Sequence, residues 1–60
     1  ASGKACDISI ARGDALKLIE IALKLGFTGF GINQKGSSRF IHLDTLESTK
    51  DRPRPTIWSY

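Results

Sequence analysis

The sequence predicts a small α+β domain: an antiparallel sheet of about three strands with one amphipathic helix packed on one face. Three observations predict it. An apolar stripe at helical period runs from Ala15 to Leu25, and three short segments alternate apolar with polar residues. Glycines at 13, 26 and 36 fall where those segments must start, stop or turn.

The first strand is expected over residues 5 to 10, with Cys6, Ile8 and Ile10 on one side and Asp7 and Ser9 on the other. Gly13 and Asp14 read as a helix start, Asp14 able to cap or to favour the positive end of the dipole. The helix then carries apolar residues at 15, 16, 18, 19, 22, 23 and 25. Lys17, Glu20 and Lys24 fall on its opposite face, and Gly26 stops it. Residues 28 to 33 form a second strand, residues 34 to 38 a hairpin loop around Gly36, and residues 39 to 45 a third strand. From Leu46 onward the chain turns polar, and Pro53 and Pro55 exclude a regular interior strand or helix. Residues 46 to 60 are expected to wrap the surface, anchored by Ile57, Trp58 and Tyr60.

Bulk properties narrow the choices. Sixty residues make one domain with a small core, marginal unless a metal, a disulfide or a partner helps. No apolar run approaches the roughly 20 residues that span a bilayer. Cys6 is the only cysteine, so no internal disulfide forms. Its apolar neighbours suggest a buried hydrophobe rather than a nucleophile or ligand. A net charge of +3 favours anionic partners without choosing among them. The basic residues Lys17, Lys24, Arg39, Lys50, Arg52 and Arg54 are scattered, as on a solvated surface. Aromatic residues do not alternate with them along one face, so a nucleic-acid platform is not expected.

Side by side, these strands give the sheet two unlike faces. Cys6, Ile8, Ile10, Phe30, Ile32, Ile41 and Leu43 would meet the helix. Asp7, Ser9, Gly29, Gly31, Phe40, His42 and Asp44 would form the other face, which therefore holds every strand residue able to bind a metal except Cys6. The two glycines would leave room above the sheet for a ligand. On alternation alone, the same face is what an antiparallel sheet shows to water, and His beside Asp also makes an ordinary surface pair.

Two segments carry a resemblance. Gly3-Lys4-Ala5-Cys6-Asp7-Ile8 resembles the core of the pattern Ser-x-His-x-x-Gly-x-Ala-x-Asp-Ile of the D-Ala-D-Ala carboxypeptidase-like peptidases, family M15. Gly29-Phe30-Gly31-Ile32, followed by Phe40-Ile41-His42-Leu43-Asp44-Thr45, resembles that family's Gly-Ile-Gly and Phe-Val-His-Ile-Asp-Thr strands. Trp58 fits a tryptophan near the domain's end. The matches cover nearly the whole chain, in the family's order.

The resemblance implies a single Zn²⁺ held by His, Asp and His with one position left for water, the pattern of an open catalytic site. Asp7 would be the carboxylate ligand and His42 the second imidazole. The first histidine should precede Asp7 by seven positions, immediately before Ala1, so the chain would be the C-terminal part of the peptidase domain, continuing into an upstream segment. Several branches of the family carry an acid three positions before the second zinc histidine. That position here is Arg39, which leaves Asp44 as the candidate catalytic base or as an orienting group for His42. The implied activity is zinc-dependent hydrolysis of amide bonds in peptidoglycan peptides, of the D,D-carboxypeptidase or endopeptidase type, in the periplasm, at the cell wall or delivered by phage. The alternative is a non-enzymatic module that keeps the fold and binds cell wall or a protein partner.

Overall fold

The computed structural model describes residues 3–60. The fold is α+β, as expected: β1 (Ala5–Ser9), α1 (Arg12–Lys24), β2 (Gly29–Asn33), β3 (Phe40–Asp44) and β4 (Thr56–Ser59). The strands form one sheet in the order β1-β3-β2-β4. β3 pairs antiparallel with both β1 and β2, whereas β4 pairs parallel with β2, so the sheet is four-stranded and mixed rather than three-stranded and antiparallel. The fourth strand comes from the segment expected only to wrap the surface. It begins at Thr56, just past both prolines, and lies on a sheet edge, where their missing N–H groups break no ladder.

Helix α1 begins at Arg12, two residues before Asp14. Its N-cap, Ala11, offers no side-chain cap, and Arg12 opens the helix at φ 57°, a left-handed value uncommon outside glycine. Gln34 stabilises this corner from across the sheet. Its Oε1 accepts the Arg12 N–H at 3.0 Å while its Nε2 donates to the Ile10 carbonyl at 2.9 Å. Asp14 lies in the first turn, where a carboxylate favours the helix dipole. At the other end Gly26, at φ 94°, lets the chain reverse. The Phe27 N–H reaches the Ala22 carbonyl and the Gly26 N–H the Leu23 carbonyl, a Schellman stop.

The core lies between α1 and the centre of the sheet: Ala15, Ala22, Phe30, Ile41 and Leu43 are buried, with Ile8, Ile10, Leu18, Ile19, Phe27 and Ile32 packed around them. One narrow seam of α1 is used. Leu16, Ile21, Leu23 and Leu25 remain exposed, so the wide apolar stripe overstated how much of the helix would be covered. Cys6 is a correction of the same kind. Its register partner is Leu43, so it faces the helix side as expected, yet it is exposed because β1 is an edge strand. Of the expected tail anchors, Trp58 is half-buried and Tyr60, though exposed, sets its ring tilted against Phe40 at 5.1 Å, whereas Ile57 is exposed without such a contact to an aromatic ring. No helix among the described residues is long and apolar enough to cross a membrane.

Candidate functional site

The opposite face of the sheet gathers the candidate residues. Asp7 on β1 and His42 on β3 are direct register partners. The bonds Thr45 N–H to Lys4 O and Ile10 N–H to Arg39 O fix even-numbered β1 residues as the hydrogen-bonded ones. Asp7 and His42 are therefore a non-hydrogen-bonded pair, whose Cα atoms approach to about 4.5 Å and whose side chains stand close. Asp7 Oδ1 lies 2.9 Å from His42 Nδ1.

The other imidazole nitrogen is fixed from below. His42 Nε2–H donates to Asp44 Oδ2 at 2.7 Å, two residues along β3 and so on the same face. Asp44 is fully buried and accepts further bonds from Arg54 Nε at 2.8 Å, Arg54 Nη2 at 2.7 Å and the Leu46 N–H at 3.3 Å. The Arg54 pairing is bidentate, the geometry in which guanidinium binds carboxylate best. These Arg54 bonds hold the Asp44 carboxyl well below the usual carboxylate range; burial opposes them, and His42 and Leu46 add to the lowering. Among the described residues, no buried side-chain polar atom lacks a partner.

Glycines make this arrangement possible, though not as the sequence suggests. Gly29 and Gly31 were expected to leave space for a ligand. The space is filled by the protein itself: a Cβ on Gly29 would strike the Asp44 carboxylate, and one on Gly31 would lie 2.6 Å from Trp58 Nε1. Trp58 stands beside Gly31 in the parallel β2–β4 register, 5.2 Å from the His42 ring and 5.2 Å from the Arg54 guanidinium carbon. Its indole shields the Asp44–Arg54 pair and leaves the Asp7 side of His42 open. There Ala5, Cys6, Asp7 and His42 line an open cleft of about 350 Å³.

Arg54 is the residue that sequence reasoning placed wrongly, on a scattered basic surface. Its side chain is only 9% exposed. The available signal was chemical: a strand-borne Asp beside a His, on a face with two glycines, needs a fixed cation once it is buried. The β3–β4 connection supplies it. Arg52 bonds the Glu47 carbonyl, the Arg54 N–H bonds Ser48 Oγ, and Thr49 and Arg52 form an isolated bridge.

Arg39 lies on the other side of β3 from His42, at the hairpin, its Nε–H on the Gly36 carbonyl at 2.9 Å. The expected first histidine falls before Ala1, outside the described residues. Among the described residues, no group of three or more potential ligands converges. No family model, curated protein or solved structure matches this chain.

The pair that does converge has the chemistry of a cation site. With Nε2–H donated to Asp44, a neutral imidazole would turn its Nδ1 lone pair toward a carboxylate oxygen 2.9 Å away. Two acceptors at that distance need a positive species between them or on one of them, a proton or a metal ion. Imidazole nitrogen and carboxylate oxygen are donors that zinc takes. The residues present therefore fit two sides of a zinc site.

Proposed function

We propose that this chain carries the metal-binding face of a zinc-dependent peptidase that hydrolyses amide bonds in peptidoglycan peptides. The observation that carries the reading is the bracing of His42. One ring nitrogen is tied to a buried, arginine-neutralised carboxylate, and the other is presented beside Asp7 at an open cleft. Histidines that ligate metals typically donate their second N–H to a carboxylate in this way, which fixes the tautomer and the ring plane. The resemblance to the D-Ala-D-Ala carboxypeptidase-like peptidases supplies the substrate class.

In this reading Asp7 and His42 hold the ion, and a histidine upstream of Ala1 completes the set. Bound Zn²⁺ supplies Lewis acidity toward a substrate carbonyl and an acidified water. Asp44 acts as a positioning residue: with four hydrogen bonds on its two oxygens, it orients His42 more readily than it accepts a proton from water. Trp58 and Arg54 keep that carboxylate in place and dry.

A second reading is favoured by one observation. No carboxylate stands at position 39, and Arg39 is turned to the hairpin, so a module that binds cell-wall peptide or a protein partner without hydrolysis fits the same face.

Zinc titration of this chain, and of a chain carrying the residues that naturally precede Ala1, tests the proposal. The longer chain is expected to bind orders of magnitude more tightly and to melt higher with zinc than with chelator. Asp44→Asn separates its two roles. A positioning residue loses about 10- to 100-fold in zinc affinity on substitution, whereas a base keeps zinc and loses about 10²-fold or more in rate. Absence of zinc binding in both chains removes the peptidase reading and leaves the binding module.

A further inference from the structure

Ile10 ties two basic residues into one corner of the fold. Its N–H donates to the Arg39 carbonyl at 3.2 Å, and its own carbonyl accepts the Gln34 amide at 2.9 Å. The same Gln34 side chain accepts the Arg12 N–H at 3.0 Å. The end of β1, the start of α1 and the hairpin before β3 therefore meet at one point. There Arg12 and Arg39 line a common open cleft of about 340 Å³, together with Ser9, Gly36 and Ser37 among others.

This cleft carries donors and positive charge with nothing to balance them. The Arg39 Nε–H is taken by the Gly36 carbonyl at 2.9 Å, which fixes the half-buried guanidinium and leaves its two Nη groups without an acceptor among the described residues. The Arg12 guanidinium has no acceptor there either. No acid lines the cleft, and Asp14, in the first turn of α1, bonds neither guanidinium. The Gly36 and Ser37 N–H groups likewise donate to no atom of the described residues. The other two arginines of the chain are occupied: Arg54 holds Asp44, and Arg52 puts two of its nitrogens on the Glu47 carbonyl.

We infer that this corner binds a phosphate group, free or carried as a phosphomonoester. Guanidinium groups present paired N–H donors that match an oxyanion. Donors here come from two sides, Arg12 from the β1–α1 corner and Arg39 with the loop N–H groups from the hairpin. One guanidinium fork fills the two oxygens of a carboxylate, whereas a phosphate offers three acceptor oxygens and takes both arginines. The cleft is open, so the ester group of a larger molecule can point outward. Arg39 leaves β3 on the face opposite His42, so this site is separate from the Asp7–His42 pair and stands whether or not the chain hydrolyses a peptide.

The test is a two-dimensional amide NMR titration of the full chain without added zinc, at constant ionic strength. Inorganic phosphate, glycerol phosphate and acetate are the probes. Both phosphates are expected to give saturable shifts of the Gly36 and Ser37 amides and of the Arg12 and Arg39 Nε–H signals, with acetate at least about tenfold weaker. Saturation by inorganic phosphate alone keeps the site for the free ion, and saturation by both extends it to phosphorylated molecules. Arg12→Asn, a residue that tolerates left-handed backbone, and Arg39→Gln should each weaken phosphate by about tenfold or more. Lys17→Gln removes the same charge from the exposed side of α1 and should change the affinity by less than about twofold. Shifts that rise without saturating, an equal response to acetate, or an equal loss in Lys17→Gln overturn the proposal, because each would mean that general positive charge attracts the anion. The probe series uses the unaltered protein, so it decides the matter even where an arginine variant fails to fold.

Discussion

On one face of the sheet Asp7, His42, Asp44 and Arg54 form a hydrogen-bonded chain under Trp58, each group holding the next. On the other face, a single 13-residue helix lies over part of a four-stranded sheet. The polar face is closed around Asp44 and Arg54, which are 0% and 9% exposed. The apolar face is not: Leu16 is 71% exposed, Leu23 59% and Ile57 66%. In a chain this small, hydrophobic burial is limited by how much one helix can cover. Hydrogen bonds are not limited in that way, since they need only a few groups in fixed geometry. The contrast teaches that the hydrophobic side sets whether this chain folds, while the polar side sets a local geometry that a small core alone would leave loose.

The largest expected effect lies at the one point where the apolar side is fully closed. Ile41 is 0% exposed, and Ile41→Ala should cost about 2–5 kcal/mol by chemical denaturation, comparable with the whole stability of so small a core. A loss under about 1 kcal/mol would mean that the helix–sheet seam is not the core. Next comes Gly31→Ala, which acts from the polar side. Its methyl meets the Trp58 indole, so an overpacking loss of about 1–3 kcal/mol is expected, with a change in tryptophan fluorescence. An unchanged spectrum and midpoint would show that Trp58 does not seat over the glycine.

Acid should separate the faces further. Because the folded-state Asp44 carboxyl is depressed by Arg54, its stabilisation is complete above the ordinary carboxylate range, roughly pH 4 to 5. It is lost as pH falls below that range toward the depressed folded value. Denaturation midpoints measured from pH 6 down to pH 2.5 should therefore decline, and the decline should be shallower in Asp44→Asn. Identical slopes would take Asp44 out of the acid response. The smallest effect belongs to the uncovered helix side: Leu16→Gln should change stability by no more than about 0.5 kcal/mol, and a larger loss would reveal that Leu16 is packed in solution.

Particular residues show how much was legible beforehand. The parity of Asp7, His42 and Asp44 placed them on one face, because side chains alternate along any strand whatever it pairs with. The helix and its Gly26 stop were equally readable, since period and turn chemistry are local. Cys6 was assigned to the correct side and the wrong burial. Alternation gives a side, but only strand order says that β1 is an edge and that α1 does not reach over it.

Arg54 and the fourth strand were beyond local reasoning for one physical reason. The cation that neutralises Asp44 comes from ten residues downstream, through an irregular connection that carries no periodicity. β4 then pairs parallel with a strand more than twenty residues earlier, and parallel pairing leaves no hairpin signature in the sequence. The same holds for Gln34, which secures the start of α1 from 22 residues away. By itself, then, the sequence determined the helix, the first three strands and the faces their residues share, because those follow from spacing along one chain. The tertiary structure alone decided which strands are edges, what fills the space over Gly29 and Gly31, and which nitrogen of His42 faces Asp7. Each of these depends on contacts between segments that no local pattern encodes.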